Sequence, residues 1–172
     1  MKVIMVMAVT PNGYIAREND DTSWVTKEDW KRFKDISKKI GCVIIGRRTY
    51  EAVIAESQFP LPGRLNVVVT HEKIENKWGE DKVIFTGKSP KDILEMLKKK
   101  GFKKVCVAGG GMNNANFIKQ GLIDEILVDV EPTIFGKGIK LFADADFDFK
   151  LKLLKVKKLS KNELQLHYKV LK

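Results

Sequence analysis

Short runs of apolar and β-branched residues alternate along the chain with segments in which apolar positions recur at helical spacing. The first pattern predicts strands at residues 2–9, 42–45, 65–70, 82–85, 104–108 and 123–131. The second predicts helices at residues 27–40, 49–55, 91–100 and 112–120. Repeated strand, helix and strand units are typical of an α/β fold with a largely parallel sheet and helices on both faces.

The pattern changes near the end of the chain. Residues 151–159 and 163–171 are two alternating strands around Ser160-Lys161-Asn162, which predicts an antiparallel hairpin added to one edge of the sheet. No linker, repeat or low-complexity block divides the chain, and residues 17–23 and 58–64 are predicted to be ordered loops. We therefore expect one domain over residues 1–172 with a mixed, mostly parallel sheet.

Composition excludes several classes of protein. The chain has 172 residues of which 44% are hydrophobic, enough for the core of one globular domain. Its longest apolar runs are far below the roughly 18 to 20 residues that cross a bilayer, and its start lacks a secretory cleavage site, so we expect a cytoplasmic protein. Cys42 and Cys106 lie in separate apolar runs, which predicts two buried, reduced thiols and neither a disulfide nor a metal site.

The positive net charge predicts attraction for phosphate groups but does not indicate which kind of molecule carries them. The formal net charge is +10, which suits nucleic acid, an anionic membrane or a phosphorylated small ligand equally well. Much of the excess is lysine in short groups without interleaved aromatic residues, as on an ordinary solvated face. We therefore expect a small-molecule ligand, with no nucleic-acid or membrane partner.

The first predicted helix places an acid on its apolar side. Thr26 is the expected N-cap, and Asp29 falls in line with Phe33, Ile36 and Ile40, a stripe that must face the sheet. A carboxylate that points inward is costly. Either Asp29 turns back to the helix terminus, or it lies at the floor of a cleft and meets a polar ligand group.

Two predicted strands end in glycine and lead into helices. These junctions read Gly46-Arg47-Arg48-Thr49 and Ala108-Gly109-Gly110-Gly111. In a parallel sheet such helix starts line up along one rim and offer free N–H groups to phosphates. Arg47 and Arg48 suit the additional 2′-phosphate of NADP. The alternative is that these are ordinary turns with exposed arginines, since neither is a full dinucleotide fingerprint.

A rigid turn presents one further arginine. Arg64 follows Pro60-Leu61-Pro62-Gly63 and stands at the start of a predicted strand. It is either a surface arginine or a fixed guanidinium that binds a ligand carboxylate. His71 and His167 have no nucleophile and base at a useful spacing, so no hydrolase triad is indicated.

In order along the chain, these residues resemble dihydrofolate reductase and its fold relatives, the pyrimidine reductases of riboflavin synthesis. The matching residues are Ala8, Ile15, Trp24, Asp29, Phe33, Gly46 to Glu51, Pro60 to Arg64, and Gly109-Gly110. The resemblance implies an eight-stranded mixed sheet, NADPH as cofactor and a cis Gly109-Gly110 peptide. The positions that it implies for cofactor binding are Ala8, Ile15, Gly46, Arg47, Arg48, Thr49, Thr70, His71, Ala108, Gly109, Gly110, Gly111, Met112 and Asn114.

The resemblance also implies the substrate side of the site. Asp29, with Trp24, would support protonation of the substrate while hydride passes from the nicotinamide, and residues 12–24 would be a lid. The implied substrate contacts are Met7, Ala8, Asp29, Trp30, Phe33, Arg64 and Asp129. Asp129 stands where these reductases usually have threonine, and Asn114 where they have tyrosine. If Asp29 and Asp129 meet, the pair could share a proton; otherwise Asp129 points to the other face.

Two enzymes and one binding module fit these observations. Because the Arg64 turn suits the carboxylate tail of folate, we expect NADPH-dependent reduction of 7,8-dihydrofolate to tetrahydrofolate. Residues 128–141 instead resemble the reductases that act on a ribosylaminopyrimidine phosphate in riboflavin synthesis. The third possibility is a basic nucleotide-binding module without catalysis. Either a monomer or a homodimer is compatible with an exposed sheet edge or hairpin.

Overall fold

A twisted sheet of eight strands runs through the computed structural model, which describes residues 1–172. All strands of the chain, numbered in chain order, are β1 (Lys2–Val9), β2 (Tyr14–Ala16), β3 (Cys42–Gly46), β4 (Leu65–Val69), β5 (Val83–Thr86), β6 (Lys104–Val107), β7 (Glu125–Val130), β8 (Ile139–Lys140), β9 (Lys150–Lys158) and β10 (Leu164–Leu171). The order across the main sheet is β5-β4-β3-β6-β1-β7-β10-β9. The six strands from β5 to β7 are parallel, whereas β10 is antiparallel to both its neighbours. The expected mixed, mostly parallel sheet is confirmed.

Four helices cover the two faces of this sheet. They are α1 (Lys27–Ile40), α2 (Arg47–Ala55), α3 (Pro90–Lys99) and α4 (Gly111–Ile118). Ile93 and Leu97 of α3 and Phe117 of α4 belong to one core cluster, while Tyr50 and Val53 of α2 belong to the cluster on the other face. The apolar stripe of α1 packs on the α2 side. The α/β class and its three layers therefore follow the predicted alternation of elements.

The structure adds two short strands that the pattern did not predict. β2 and β8 pair antiparallel in a small separate sheet. Three and two residues are too few to show a period in the sequence. This pairing ties residues 14–16, within the predicted lid, to the segment that follows β7. Other predicted elements agree with the structure to within one or two residues at most ends.

The β9–β10 hairpin at the sheet edge is the least covered part of the fold. Every residue of β9 is exposed, and in β10 only Val170 is buried. The strands pair in continuous register except for a shift between His167 and Tyr168, where β9 has one additional residue.

None of the four helices has both the length and the apolar composition needed to cross a lipid bilayer. Cys42 and Cys106 are buried and free.

Candidate active site

A cleft of about 380 Å³ opens beside α1 and the carboxyl ends of the central strands. It gathers most of the residues that the sequence suggested for substrate and cofactor. Those in its lining are Met7, Ala8, Ile15, Asp29, Trp30, Phe33, Arg48, Thr49, Ala108, Gly110, Gly111 and Asp129. The lining also contains polar residues that the sequence did not suggest for substrate or cofactor, among them Asp20, Thr22, Ser23, Lys27, Glu56 and Gln58, together with the predicted helix cap Thr26.

Asp29 lies at the floor of this cleft. Its backbone N–H donates to the Thr26 hydroxyl at 3.1 Å, so Thr26 caps α1 as predicted. The carboxyl group of Asp29 does not turn back to the helix terminus. It is 4% exposed and its Oδ1 accepts a bond from Arg32 Nη2 at 3.2 Å. Of the two interpretations of this residue, the structure selects the acid at the floor of a cleft.

Arg32 connects Asp29 to two further buried carboxyl groups. Its Nε lies 3.3 Å from Asp129 Oδ2, and its Nη2 lies 3.4 Å from Glu163 Oε2. Gln165, on β10, donates to Asp129 Oδ1 at 2.8 Å. Asp129 therefore points to the cleft and meets Asp29, instead of facing the opposite side of the sheet. One guanidinium serves three carboxyl groups, so positive charge is scarce in this cluster.

Glu131 extends the cluster away from the cleft. It is 1% exposed, and its Oε1 accepts bonds from the Thr26 N–H at 3.3 Å and the Thr26 hydroxyl at 3.2 Å. Its Oε2 is buried without a partner. Burial and the nearby Glu163 raise the pKa of Glu131. We call Asp29, Arg32, Asp129, Glu131 and Glu163 the acid cluster.

The acid cluster changes the protonation of Asp29. Burial first, then a hydrogen bond and the charge of Asp129, raise the pKa of Asp29 to about 8, although Arg32 opposes this shift. Although burial disfavours its charged form, the negative charge of Asp29 raises the pKa of Arg32. At neutral pH Asp29 thus holds a proton that it can donate, which is the state that a general acid needs.

Aromatic rings form one wall beside Asp29. Trp30 and Phe33 stack with ring centroids 5.2 Å apart, and Trp30 Nε1 donates to Gln58 Oε1 at 3.1 Å. Because both residues follow Asp29 on the same helix, their positions are fixed by α1 itself. A flat heterocycle fits between such rings and a polar floor.

Two helices begin at the other end of the cleft, and neither has a side-chain cap. The N-cap residues are Gly46 for α2 and Gly110 for α4, and no side chain bonds to either first turn. Gly46 N–H donates to Gly109 O at 2.9 Å, and the Gly109-Gly110 peptide is cis as the resemblance implied. We call Gly46 and Gly109 to Gly111 the glycine rim. Its free N–H groups and lack of side chains suit the close approach of phosphate oxygens.

Space at the glycine rim is limited. A Cβ atom added to Gly46 would lie 3.4 Å from both Asn113 Cβ and the backbone nitrogen of Gly110. At Gly111 it would lie only 2.5 Å from the carbonyl oxygen of Lys140. Glycine at these positions thus lets the backbone segments of the rim pack closely on one another. It is the pair of uncapped helix starts that suits a dinucleotide cofactor.

Two arginines stand at the start of α2 and already hold ion pairs. Arg48 Nη2 lies 2.7 Å from Asp20 Oδ2, and Arg47 Nη1 lies 2.7 Å from Glu51 Oε1. Arg48 lines the cleft, whereas Arg47 lies outside its lining. Thr70 and His71 follow β4 outside the lining as well, and the Thr70 hydroxyl accepts a bond from the Glu72 N–H at 3.0 Å. Their cofactor contacts stay predictions.

Arg64 lies elsewhere than the resemblance implied. Its guanidinium carbon stands 4.1 Å from the ring centroid of Phe102, and its Nη2 donates to Lys100 O at 3.3 Å. It is absent from the cleft lining, so the expected clamp for a ligand carboxylate is not formed there. The Phe59–Pro60 peptide is cis, and the turn after it carries Leu61 rather than Arg64 into the cleft.

Five further predicted residues do not line the cleft, namely Gly46 and Gly109 of the glycine rim, and Asn114, Met112 and Trp24. Asn114 is buried and supports the rim: it accepts from Gly109 N–H at 3.2 Å and donates to Leu141 O at 2.9 Å. Met112 is 71% exposed. Trp24 packs edge-on against Phe135 with its Nε1 buried and unpartnered. Asn114 therefore acts on the rim through the backbone rather than by direct contact with a ligand.

Sequence reasoning missed the residues that set the charge of the site. Arg32 was identifiable as a cation three positions after Asp29 on α1, a spacing at which side chains meet. Glu163 and Gln165 had no such signal, because only the long-range pairing of β10 with β7 brings them to Asp129. Gln58 lies in a loop whose conformation the pattern does not determine.

Comparison with known proteins decides the family. The model of the RibD C-terminal domain matches residues 1–164. The chain belongs to this family. Its fold is the dihydrofolate reductase-like fold, as the resemblance implied. Reductases of this kind use NADPH, and the chain is accordingly of the oxidoreductase type.

Three similar proteins match nearly the whole of this chain. The uncharacterized protein YwjB of Bacillus subtilis is 29% identical over 171 residues, 97% of each chain. A candidate riboflavin biosynthesis protein of Shewanella sp. PV-4 has a TM-score of 0.85 at 24% identity, with full coverage of both chains. The deaminase and 5-amino-6-(5-phosphoribosylamino)uracil reductase of Thermotoga maritima has a TM-score of 0.77 at 20% identity, and this chain covers 56% of it. These two structures show a shared fold.

The expected dihydrofolate reductase activity is wrong. The family model is that of the RibD C-terminal domain, while the dihydrofolate reductase of Aedes albopictus, 33% identical, matches over only 57% of this chain. The structural reason agrees, since Arg64, the residue on which the folate assignment depended, lies outside the cleft.

Proposed function

We propose that the RibD-like chain is an NADPH-dependent reductase of a ribosylaminopyrimidine phosphate or a closely similar phosphorylated heterocycle. The observation that carries this proposal is the carboxyl group of Asp29, buried at the floor of the cleft with its pKa raised to about 8. When bound, NADPH supplies the hydride. The chain must then supply a proton, an aromatic wall and a place for the substrate phosphate.

Asp29 is the proton donor in this proposal. The hydride of bound NADPH would reduce the carbon of a C=N bond, and the role of Asp29 is to donate its proton to the nitrogen of that bond, so that the products would be an amine and NADP⁺. Arg32 then stabilises the newly formed carboxylate of Asp29 through their contact at 3.2 Å, and a second contact of 3.3 Å joins Arg32 to Asp129. Because burial and the charge of Asp129 disfavour the carboxylate form of Asp29, a proton from solvent returns to the pair readily.

Lys27 supports a phosphorylated substrate. It lies in the cleft lining at the first position of α1 and forms no ion pair within the chain. Thr22 and Ser23 line the cleft next to it and offer hydroxyl groups. A substrate with its pyrimidine ring against Trp30 and Phe33 would direct its phosphate towards these groups.

The cofactor in this proposal occupies the glycine rim. The uncapped starts of α2 and α4 would hold its diphosphate, and Arg48, which now pairs with Asp20, would bind its 2′-phosphate. Ala8 and Ile15, which line the cleft together with Asp29, would contact its nicotinamide.

The direct test is a substrate panel. Purified chain, NADPH and the ribosylaminopyrimidine phosphate of riboflavin synthesis are mixed, and loss of NADPH absorbance is followed together with the reduced product by mass spectrometry. We expect turnover, slower turnover with NADH, and weaker binding of the substrate without its phosphate. Asp29→Asn should lose most of this turnover. Asp35→Asn is its matched control, since Asp35 is an exposed acid of α1 that pairs only with Lys31.

Two outcomes contradict the proposal. One is a lack of turnover of the pyrimidine phosphate while dihydrofolate is reduced. The other is full activity of Lys27→Ala towards the phosphorylated substrate. That result would show that Lys27 does not bind the substrate phosphate, even if the chain is a reductase.

A further inference from the structure

Strands β7 and β10 carry two pairs of polar side chains on the side of the sheet that faces the cleft. In the first pair, Asp129 of β7 is in register with Gln165 of β10. The same register, continued by two positions, brings Glu131 opposite Glu163. Side chains two positions apart along a strand point to the same face, so the two pairs stand side by side. The first pair is an acid opposite an amide, whereas the second is an acid opposite an acid.

The second pair places two buried acids against each other, since Glu131 is 1% and Glu163 is 5% exposed. In the first pair Gln165 donates to Asp129 at 2.8 Å, but neither glutamate can donate to the other unless it carries a proton. Burial first, and then the charge of Glu163 and a hydrogen bond with it, raise the pKa of Glu131, although the bonds from Thr26 oppose this shift. Like charges directly opposite each other destabilise a pair of strands, so the second pair is stable when it holds a proton.

The contacts of the two glutamates differ, and they indicate which one carries the proton. Glu163 Oε2 lies 3.4 Å from Arg32 Nη2, so a negative charge on Glu163 is balanced by a cation. Glu131 has no such cation: its Oε1 accepts the two bonds from Thr26, and its Oε2 is buried without a partner. A proton on Glu131 Oε2 removes this unpaired buried acceptor and supplies a donor for Glu163.

One nitrogen of Arg32 is divided between two carboxyl groups of the acid cluster. Arg32 Nη2 lies 3.2 Å from Asp29 Oδ1 and 3.4 Å from Glu163 Oε2, while Arg32 Nε lies 3.3 Å from Asp129 Oδ2. A cation close to a carboxyl group favours the charged form of that group. Because Glu163 takes part of the charge of Arg32, Asp29 receives less of it and retains its proton more readily.

We propose that Glu131 and Glu163 share one proton, and that Glu163 is a positioning residue of the active site, which holds Arg32 and so keeps Asp29 protonated. The consequence for turnover rests on the proposed function, in which Asp29 donates a proton. The consequence for Asp29 itself depends on no substrate, so it can be measured independently of that function.

Few other charged groups face the acid cluster. β1 places the uncharged Ala8 in register with Asp129, and β9 places the exposed Lys157 in register with Gln165. On α1, the charged residues that precede Arg32, apart from Asp29, are all exposed, namely Lys27, Glu28 and Lys31. The buried charges that set the protonation of Asp29 are therefore those of the acid cluster itself.

The two glutamates act on Asp29 by different routes. A charge on Glu131 raises the pKa of Asp29 directly, as a smaller cause than burial, Asp129 and Arg32. Glu163 is joined to Asp29 through Arg32, which bonds to both. If charge alone mattered, loss of the Glu131 carboxyl group would change Asp29 more than loss of the Glu163 carboxyl group. The proposal requires the opposite order.

The test measures the pKa of Asp29 by NMR of the aspartate carboxyl carbons in the full-length chain without substrate, with Asp29→Asn to identify the signal. Glu163→Gln should lower the pKa of Asp29 by about 1. Glu131→Gln, the matched control, should lower it by less than half as much. Both substitutions keep the shape of the side chain and give the pair an amide donor, as Gln165 does in the first pair. Equal changes, or a larger change in Glu131→Gln, overturn the positioning role of Glu163.

Turnover separates this inference from the proposed function. In Glu163→Gln, the upper limb of the pH profile of kcat should move to lower pH by the same amount as the pKa of Asp29. If the wild-type chain turns over no pyrimidine phosphate while the NMR changes follow the expected order, the proposed function is contradicted and the role of Glu163 towards Arg32 is supported.

The shared proton has a signed effect on stability. The folded-state pKa of Glu131 is raised from 4.5, so its protonation favours folding in full below pH 4.5, and this contribution is lost as the pH rises through the raised value. Glu131→Gln should therefore gain in Tm relative to the wild type from pH 5 to pH 8. A difference in Tm that is the same at both pH values overturns the shared proton.

Discussion

The acid cluster and the glycine rim lie at the two ends of one cleft, and they differ in whether their polar groups have hydrogen-bond partners within the chain. In the acid cluster, most buried carboxyl oxygens are paired within the chain, to Arg32, Gln165 and Thr26, and Glu131 Oε2 is the exception. At the glycine rim, the first turns of α2 and α4 have no side-chain cap. The other two helices do have caps, since Thr26 and Ser89 accept from the first turns of α1 and α3.

This difference indicates how each end is completed. A capped helix start has no need of a ligand, whereas an uncapped start at a cleft offers its N–H groups to an anion. The proton of Asp29 belongs to the protein, so substitutions in the acid cluster should change how turnover and stability depend on pH. Substitutions at the glycine rim should instead change the affinity for the cofactor.

The largest effect is expected for Asp29→Asn. The amide keeps the shape but has no acidic proton to donate, so kcat should fall about 10²- to 10⁴-fold, the range of general acid catalysis, with NADPH affinity unchanged. Single-turnover kinetics and cofactor titration measure the two quantities separately. Unchanged turnover would mean that the proton comes from elsewhere.

The same substitution has a signed effect on stability. The folded-state pKa of Asp29 is raised from 3.8 to about 8, so its protonation favours folding at low pH, and this contribution is lost as pH rises through that interval. Asp29→Asn should therefore match the wild type near pH 4 and become relatively more stable towards pH 8. Thermal melts across this range check the sign.

Next in size is Arg32→Leu, which removes the cation that three carboxyl groups share. Loss of one partner from a buried ion pair typically costs ~3–5 kcal/mol, and partial exposure of Arg32 places the expected loss in the lower part of that range. The loss should be larger at pH 8 than at pH 5, where protonation relieves the acids. Lys31→Leu, at an exposed neighbouring position, is the control for urea unfolding and should change little.

Gly46→Ala tests the glycine rim. A methyl group there meets Asn113 and Gly110 at 3.4 Å and narrows the space between the two helix starts. We expect NADPH to bind about tenfold more weakly, equivalent to ~1.4 kcal/mol, without a change in the pH profile of turnover. Gly136→Ala, where an added Cβ has no neighbour within 4 Å, is the matched control in calorimetric titrations.

Arg48→Gln sharpens the comparison within the rim. Loss of a charge-assisted hydrogen bond, ~1.5–3 kcal/mol, should weaken NADPH binding by about tenfold or more, whereas NADH, which lacks the 2′-phosphate, should bind as before. Equal weakening of NADPH and NADH binding would contradict this expectation. It would mean that Arg48 stabilises the loop by its ion pair with Asp20 and does not bind the 2′-phosphate.

The smallest effect is expected for Arg64→Ala, outside both ends of the cleft. Steady-state kcat/KM should change less than about twofold, since Arg64 contacts Phe102 and Lys100 instead of the cleft. The lost cation–π contact is worth ~0.5–1 kcal/mol at an exposed position, and a small fall in Tm should report it. A large rise in KM would contradict this expectation and show that Arg64 contacts the substrate.

Local patterns allowed much of the fold to be predicted from the sequence. The α1 boundaries, its Thr26 cap and the inward position of Asp29 all depend on residues close in the chain. The glycine junctions at Gly46 and Gly110 were likewise visible as strand ends that lead into helices.

What could not be predicted depends on distant parts of the chain. Glu163 reaches Arg32 across 131 positions, and nothing in its own neighbourhood indicates a buried partner. The turn before Arg64 looked suitable for a ligand, but its direction is set by packing against Phe102. Substrate identity depended on that direction, which is why the fold was predicted correctly and the reaction was not.

The single register shift in the hairpin has a consequence for how such sequences are interpreted. Lysine and apolar residues alternate strictly from Lys150 to Leu153, and the adjacent Leu154 breaks the alternation before Lys155 resumes it. The extra residue absorbs this phase error, so lysines before and after it emerge on one side. Deleting Leu154 would make Leu153 and Lys155 neighbours, restore strict alternation and remove the need for the register shift, and each face would keep its residues. The register shift, and not the additional leucine, thus preserves the two different faces of the strand.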